Sequence, residues 1–395
     1  MIQDEIKRLA DAYFEEVRTI RRHLHRFPER SFQEVNTSKY IADFLTKENI
    51  THSTDWATTG IIATIKGNNP SKKTISLRAD IDALPIQELN NVPYKSTHDG
   101  IMHACGHDAH TASLMGCMLI LNDLKERWEG TIHFIFQPGE EELPGGASLL
   151  IDQGLFDQHP SQAIIGQHVM PELPYGKVGF RAGQYMAACD ELYIDILGKG
   201  GHGALPHKCI DPIVVSAQII LALQQIVSRK ANSLSPTVLT IGDIHGHGAT
   251  NVIPDVVKMK GTLRTYQEEW RTEAHQEIED LCHHIAASTG AKAEVTIKKG
   301  YPSLFNNPAL TTSLRAKAED FLGKENVVEL EMRPTAEDFA HYSQLLPACF
   351  YRLGVGNEAK GITASVHNPN FDIQEESLIT GMGLMSFLAI SELAI

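Results

Sequence analysis

The decisive stretch of this sequence is Met102-His103-Ala104-Cys105-Gly106-His107-Asp108-Ala109-His110, which places a thiol, three imidazoles and a carboxylate within nine residues. Fold stability alone rarely requires such a density of metal-ligand chemistry. Cys105 and His107 are two positions apart, so an extended or looped backbone can turn both toward one ion, whereas a helix would separate them. The stretch therefore predicts a metal-binding loop, and the apolar spacing between Leu114 and Leu119 predicts a helix directly after it.

Outward from this loop, three short apolar runs each lead into residues that can carry chemistry. They are residues 75–79 before Asp80 and Asp82, residues 132–136 before Glu140 and Glu141, and residues 163–166 before His168. This arrangement is typical of an α/β fold. Open parallel sheets bind ligands at the carboxyl edge of their strands, so we expect the three stretches to meet there.

The segment Gln137 to Glu142 puts three carboxylates in a row after a predicted strand. Their mutual repulsion is costly unless cations offset it, and a pair of metal ions would do so. Two adjacent glutamates could then divide the work, one coordinating metal and the other accepting a proton from a water molecule. A solvated acidic turn is the alternative interpretation of this segment taken alone.

Residues 186–298 show a different pattern, in the order strand, helix, strand, strand, helix, strand, which matches a ferredoxin-like split unit. The predicted elements after the first strand are a helix at Asp211–Lys230, strands at Ser235–Ile241 and Val256–Tyr266, a helix at Glu268–Ser288 and a strand at Ala293–Lys298. After Gly300 the chain returns to helix and turn segments. We therefore expect a first domain formed by residues 1–185 and 299–395, with residues 186–298 inserted as a second domain.

Composition narrows the class of protein. A chain of 395 residues with 42% hydrophobic content can bury a large core, and its formal charge of −14 comes without a run of basic residues, which disfavours nucleic acid or an anionic membrane as a partner. We find no apolar stretch of membrane-spanning length and no apolar signal core, and this predicts a cytoplasmic protein. Six scattered cysteines predict free thiols rather than a disulfide framework.

Taken together, these segments resemble the dinuclear metallopeptidases of family M20, the aminoacylases and related carboxypeptidases. The segments that carry the resemblance are Arg21–His25, Pro28-Glu29, Arg78–Pro85, His103–His110, Gln137–Glu141, Gly166–Val169, Gly200–His207 and Ser365–Asp372. They are most similar to the amidohydrolase branch, which includes N-acyl-amino-acid amidohydrolases and hippurate hydrolases. The sequence departs from the common family pattern at Gly139, where alanine is usual, and at Glu142, where glycine is usual.

The resemblance implies a fold and a cofactor. The fold would be a zinc-peptidase-like catalytic domain, with a mixed, largely parallel sheet flanked by helices, and an inserted α+β ferredoxin-like domain that serves as lid and dimerisation surface. Two divalent metal ions, zinc or manganese in the first place and cobalt or nickel as further candidates, would bind in each subunit. The protein would form a homodimer or homotetramer through the lid domain.

The resemblance also implies residue roles. The metal ligands would be Cys105, His107, Glu141, His168 and His367. The general base would be Glu140, the oxyanion donor and substrate contact would be His202, and the groups that hold the substrate carboxylate would be Asn251 and Arg264. Asp108 and His110 would orient ligands, while the roles of Asp80, Asp82 and Glu142 stay open.

The function implied is the hydrolysis of the amide bond of N-acyl amino acids or short peptides by a metal-activated water. Two alternatives remain at this point. Cys105 could be the nucleophile of a cysteine hydrolase, because a thiol beside imidazoles is also how such enzymes are built. The protein could instead be a metal-bound peptide-binding or regulatory protein without turnover.

Overall fold

The computed structural model describes residues 2–395, and the chain divides into two compact units. Unit 1 comprises the chain up to Gly183 together with Phe305–Glu331 and Asp338–Ile395, and unit 2 comprises Gln184–Leu304 and Met332–Glu337. The boundaries predicted from the sequence fall after residues 185 and 298.

The elements are numbered here in chain order. The strands are β1 (Thr51–Trp56), β2 (Gly60–Lys66), β3 (Thr74–Asp80), β4 (Thr131–Gln137), β5 (Ile164–Pro174), β6 (Val178–Phe180), β7 (Gly183–Met186), β8 (Asp190–Leu197), β9 (Gly201–His202), β10 (Val238–Gly246), β11 (Val252–Ile253), β12 (Val256–Arg264), β13 (Lys292–Lys299), β14 (Leu304–Asn306), β15 (Val327–Glu329) and β16 (Ala348–Gly356). The helices are α1 (Ile2–Arg26), α2 (Val35–Lys47), α3 (His107–Asp123), α4 (Gly146–Asp152), α5 (Leu155–Gln158), α6 (Pro212–Gln225, continued by a π-helical turn at Ile226–Lys230), α7 (Glu268–Ser288), α8 (Pro308–Leu322), α9 (Ala340–Ser343) and α10 (Ser377–Leu393).

Unit 1 is built on an eight-stranded mixed sheet in the order β1-β2-β4-β3-β5-β16-β6-β15. The four central strands β4, β3, β5 and β16 run parallel to their neighbours within this group, and β1 and β2 extend the sheet in antiparallel fashion. The helices α3 and α10 are buried along most of their length, which is why both are apolar on nearly every side. The α/β fold with a largely parallel sheet flanked by helices is therefore confirmed.

The metal-binding stretch differs from its prediction in one respect. We expected a loop through His110, but α3 begins at His107, so His107 to His110 form the first helical turn. Gly106 directly before it has a left-handed conformation (φ 85°), and this sharp turn lets Cys105 and His107 converge although only one of them is helical. A Cβ atom at Gly106 would lie 2.5 Å from Val169, so the turn has no room for a side chain.

The third predicted strand also extends beyond its predicted end. His168 lies inside β5 rather than after it, because β5 continues to pair with β16 at Arg352 after its pairing with β3 ends at Gly166. Pairing with β16 thus fixes the backbone of His168. On the side where the pairing with β3 has ended, His168 faces other segments of the chain.

Unit 2 has a four-stranded antiparallel sheet in the order β10-β12-β8-β13. The order of a split β-α-β unit is reproduced, since the first and third strands of the unit, β8 and β12, are central and the second and fourth, β10 and β13, are outside. Leu192, Ile194 and Ile196 of β8 alternate with more accessible residues and form the core of this unit with residues of α6 and α7. The α+β pattern of the sequence is therefore observed, with α7 at the predicted residues.

One segment is more apolar than the sequence analysis predicts. Pro212–Lys230 is long and apolar enough, by length and composition, to cross a membrane, contrary to the expectation that no such stretch exists. Val215, Ile219 and Leu223 of this segment, at helical spacing, lie in the core of unit 2. Burial of this face accounts for only part of the apolar character, since 33% of the segment is buried and Ile213, Val214 and Leu221 are exposed.

The polar centre of unit 2 is Asp190, whose carboxylate is buried. It accepts hydrogen bonds from Arg271 (Nε, 2.9 Å), from His275 (Nε2, 2.6 Å) and from the backbone N–H of Gly300 (3.1 Å). Burial alone would raise the pKa of Asp190, but the hydrogen bonds from Arg271 and His275 lower it to about 2.

We predict that Asp190→Asn lowers the free energy of unfolding of unit 2 at pH 7 by about 3 kcal/mol, because it removes the buried carboxylate that Arg271 and His275 share and leaves Arg271 paired with the partly exposed Glu268. Since the folded pKa of Asp190 lies below its ordinary value of 3.8, the stabilisation is complete above about pH 4 and declines as the pH falls toward 2. Urea unfolding at pH 7 and pH 3 should therefore show a smaller difference between wild type and variant at pH 3. Asp280→Asn, on the exposed face of α7, is the matched control, and an equal loss in both variants would contradict the role of Asp190.

Candidate metal centre

The structure brings all five predicted metal ligands together in unit 1. Their donor atoms fall into overlapping groups in which every atom lies within 4.8 Å of the others, namely Cys105 with His107 and His168, Cys105 with Glu141 and His367, and His107 with Glu140 and Glu141. Cys105 Sγ lies 3.5 Å from His168 Nε2, and His367 Nε2 lies 3.2 Å from Glu141 Oε1. The residues come from the start of α3, the turn after β4, β5 and the segment before α10, so only the fold unites them.

The chemistry of this cluster fits bound metal ions. His107 Nε2 is buried and makes no hydrogen bond within the described residues, which is costly for a polar atom unless another group meets it, and Glu141 Oε1 is buried with His367 Nε2 at 3.2 Å. A thiol, three imidazoles and a carboxylate are the donors that zinc and related divalent ions prefer. Hydrogen bonds with Cys105 and Glu141 raise the pKa of His367 to about 10.

Asp82 joins two parts of the cluster. Its Oδ1 lies 3.1 Å from His107 Nδ1, and its Oδ2 accepts hydrogen bonds from the backbone N–H of Glu141 (3.0 Å) and from Ser31 Oγ (2.7 Å). A carboxylate on Nδ1 orients an imidazole and leaves Nε2 for metal. Asp82 therefore positions His107 and the Glu141 turn at once.

The hydrogen-bond partners of two other histidines determine which ring nitrogen carries the proton. His168 Nδ1 lies 2.7 Å from the carbonyl oxygen of Val169 and must donate to it, which leaves the lone pair of Nε2 facing Cys105. His110 accepts from the backbone N–H of Val169 through Nε2 and donates through Nδ1 to Asp80 (2.6 Å). Because both nitrogens of His110 are engaged, it orients the site rather than contributing a ligand.

Asp108 is turned away from the cluster, although it follows His107 directly. Its Oδ2 accepts from Arg21 Nε (2.8 Å) and lies 2.7 Å from His25 Nδ1, and all three side chains are buried. Burial would raise the pKa of Asp108, but the charges of Arg21 and His25 hold it well below its ordinary value. This network ties the first turn of α3 to α1.

Glu140 lies beside the predicted metal ligands, but its carboxylate is farther from them than the closest of these ligands are from one another. Its Oε2 is 3.9 Å from His107 Nε2, and its Oε1 accepts from the backbone N–H of Asp338 at 3.4 Å. The Asp338 carboxylate in turn is held by Arg78, Gln137 and the backbone N–H of Ala147. Glu142, by contrast, is exposed.

A second support for the turn comes from the segment between α1 and α2. The buried Glu34 accepts hydrogen bonds from the backbone N–H groups of Phe32 (2.9 Å) and Gly139 (3.0 Å) and from Thr59 Oγ1 (2.6 Å). Gly139 has a φ of 60°, and a Cβ atom there would lie 2.3 Å from the Phe32 ring. The glycine is thus required both by its backbone conformation and by the ring that covers it.

Cys105 does not have the properties of a nucleophile. Burial and the neighbouring Glu141 raise the pKa of its thiol, whereas a reactive cysteine needs a lowered one. All six cysteines are free.

The three predicted substrate residues lie in unit 2. His202 is exposed on the short strand β9, which pairs with β11 beside Asn251, and the backbone N–H of Gly203 donates to the carbonyl oxygen of Asn251 (2.8 Å). Arg264 ends β12 and is partly buried. The fold of this unit therefore brings His202 and Asn251 together.

Several residues that shape the site were not identified from the sequence, namely Ser31, Glu34 and Asp338. Each acts through a contact with a segment far away in the chain, such as Glu34 with Gly139. Spacing within a single sequence carries no signal for contacts of this kind.

Comparison with known proteins finds a family model and relatives that match most of the chain. The sequence model of the peptidase family M20/M25/M40 matches residues 76–390. The chain is 40% identical over 360 residues to the N-acetyl-L-cysteine deacetylase of Bacillus subtilis (strain 168), which covers 91% of this chain and 84% of that protein. It is also 40% identical over 306 residues to the N-acyl-L-amino acid amidohydrolase of Geobacillus stearothermophilus, which covers 78% of this chain and 82% of that protein.

Among solved structures, the Bacillus subtilis YXEP protein, a dinuclear metal binding peptidase from the M20 family, superimposes with a TM-score of 0.84 at 37% sequence identity. The match covers 97% of this chain and 99% of that one. These relatives support neither a cysteine nucleophile nor a binding protein without turnover.

We predict that Glu34→Ala weakens metal binding by about 10- to 100-fold, because the turn that carries Glu141 loses the acceptor for its Gly139 N–H. Glu34→Gln should stay close to wild type, since its carbonyl oxygen can still accept both backbone N–H groups. Competition titration of the metal-free protein with zinc measures the effect. Glu29→Ala is the control, because Glu29 accepts from Asn36 and Thr37 at the start of α2 and does not contact the turn. Equal zinc affinity in Glu34→Ala and wild type would rule out this support.

Proposed function

The chain belongs to the peptidase family M20/M25/M40 and is a metal-dependent hydrolase of amide bonds, and from this premise we propose that it hydrolyses N-acyl amino acids or short peptides to a carboxylic acid and a free amino acid. The names of the two related enzymes above support this substrate class. The observation that carries the proposal is the buried cluster of Cys105, His107, Glu141, His168 and His367 with Glu140 at its side.

In this proposal the five clustered residues hold two divalent ions, and the description of the YXEP protein as a dinuclear metal binding peptidase supports the number of ions. When bound, the ions supply Lewis-acid activation of the amide carbonyl and of the attacking water. Zinc or manganese suits the mixed thiol, imidazole and carboxylate donors, and cobalt or nickel would be accepted by the same groups.

Glu140 is the proposed general base. It takes a proton from the attacking water and delivers it to the amine that leaves, so one carboxylate serves both transfers. The hydrogen bond from the Asp338 N–H to Oε1 leaves Oε2 directed toward His107 and supports this assignment. The adjacent Glu141 has its Oε1 near His367 and so differs in role from Glu140 although the two are neighbours in sequence.

The residues of unit 2 complete the proposal. His202 is the oxyanion donor, and Asn251 and Arg264 hold the free carboxylate of the substrate, for which a guanidinium is well suited. We assign a cytoplasmic location and a homodimer or homotetramer formed through unit 2. The free thiols are consistent with a reducing compartment.

Glu140→Gln should keep both ions and lose turnover, with kcat reduced by about 10²- to 10⁴-fold, because the amide cannot accept the proton. Metal content by mass spectrometry and hydrolysis of N-acetyl-methionine together check this outcome. The neighbouring exposed Glu142→Gln serves as control and should retain nearly full activity. Near-normal turnover in the Glu140 variant would remove this residue from the mechanism.

Removal of metal by a chelator should abolish hydrolysis, and adding zinc or manganese should restore it, because both activating groups are lost with the ions. The test uses acetyl, benzoyl, succinyl and indole-acetyl amino acids with each metal, and the pattern of rates identifies the acyl preference. Hydrolysis that persists after complete metal removal, or inactivation by a thiol reagent that metal does not prevent, would contradict the proposal.

A further inference from the structure

A cavity of about 460 Å³ opens in unit 1 at the edge of the sheet where β4 begins, whereas the metal cluster gathers where β3 and β4 end. It is lined by residues of β2, β4, the end of α3 and the end of α5, and none of these residues belongs to the metal cluster. Its volume is within the range of sites for small molecules.

The charge of the cavity wall is opposite to that of the protein. Lys66 and Lys125 line it and make no ion pair in the part of the chain that the structure describes, and no lining residue carries a carboxylate. Two of the acids adjacent in sequence are engaged elsewhere, since Glu48 pairs with Lys47 (3.0 Å) and Asp123 accepts from Tyr13 (2.7 Å), while Glu126 and Asp157 flank the lining residues without lining the cavity. Both lysines are exposed, and they give this cavity wall a positive charge in a chain of net charge −14.

Two histidines face the same space. His133 is 8% exposed, and its Nδ1 lies 2.9 Å from Thr64 Oγ1, while its Nε2 makes no hydrogen bond among residues 2–395 and is not sealed from the solvent. His159 packs edge-on against His133 (ring centroids 4.9 Å apart) and against Trp56 (5.5 Å), and no described residue hydrogen-bonds its ring nitrogens. The two rings are thus held in place by packing while they keep unused nitrogens.

The surroundings of both imidazoles disfavour their charged form. Burial, together with His159 and Lys66, lowers the pKa of His133 to about 4, and burial also lowers the pKa of His159. A neutral imidazole can donate one N–H, and an anion bound beside it favours uptake of a second proton. The titratable groups that act on His133 are Lys66 and His159, and neither carries a negative charge.

We propose that this cavity binds a small oxyanion with at least two negative charges, held by Lys66, Lys125 and the free nitrogens of His133 and His159. Two ammonium groups and the absence of a thiol or carboxylate among the lining residues disfavour a metal cation. The strongly negative protein disfavours nucleic acid. The ligand is therefore a phosphorylated or polycarboxylated small molecule, and its site is separate from the metal centre.

The test is a titration of the metal-loaded protein, with its histidine rings isotopically labelled, by inorganic phosphate and by tricarballylate, followed by NMR. His133→Asn and His159→Asn assign the two signals. We expect saturable shifts of both signals at pH 6.5, a rise in the pKa of His133 on binding, and affinity that falls by about tenfold from low salt to 0.2 M sodium chloride. If only one of the two probes, phosphate or tricarballylate, gives saturable shifts, that result would still support the site and would identify the class of ligand.

The variant Lys66→Gln/Lys125→Gln should raise the half-saturating concentration by about tenfold or more, because both counter-charges are lost. Its amide hydrolysis should stay at the wild-type rate, since neither lysine belongs to the metal centre. Lys95→Gln/Lys177→Gln, with two lysines outside the cavity, is the matched control. Shifts that are not saturable, that sodium chloride reproduces, or that are equal in both double variants would overturn the proposal, as would saturation by zinc instead of the anions.

Discussion

The predicted metal centre depends on the two contacts that the carboxylate of Asp82 makes. One oxygen orients His107 at the start of α3, and the other accepts the backbone N–H of Glu141 after β4. A single side chain at the end of β3 thereby fixes the distance between two ligand-bearing segments that are more than thirty residues apart in the chain. If this carboxylate were absent, each segment could move without the other.

Buried charged side chains surround Asp82, and contacts within the protein pair these charges incompletely. Glu34 and Asp338 hold the glutamate turn from two sides, and Arg21 holds the first turn of α3 through Asp108. Buried ionisable groups are costly unless they are paired, and such clusters occur where function requires them. His107 Nε2 is buried without a hydrogen bond among the described residues, and Glu141 Oε1 has His367 Nε2 beside it, so these two atoms mark the place where a bound cation would complete the network.

Much of the fold follows from the sequence because it depends on local patterns. The central strands, α7 and the alternation in β8 follow from apolar periodicity, and the adjacent donors of residues 103–110 pointed to metal before any contact was known. The rest depends on contacts between distant segments. The helical start at His107 needs the left-handed Gly106, the extension of β5 through His168 needs pairing with β16, and the support from Glu34 needs the packing of Phe32 on Gly139. The membrane-spanning length of the apolar segment Pro212–Lys230 does not stand out in the sequence, because polar residues interrupt the apolar run.

The most direct test is a crystal structure of the metal-loaded protein with anomalous diffraction recorded at the absorption edge of the bound element. The account predicts two anomalous peaks, with donor atoms of Cys105, His107, Glu141, His168 and His367 at coordination distance from one or both. An active protein with no peak in this cluster, or with its metal bound only elsewhere, would contradict it.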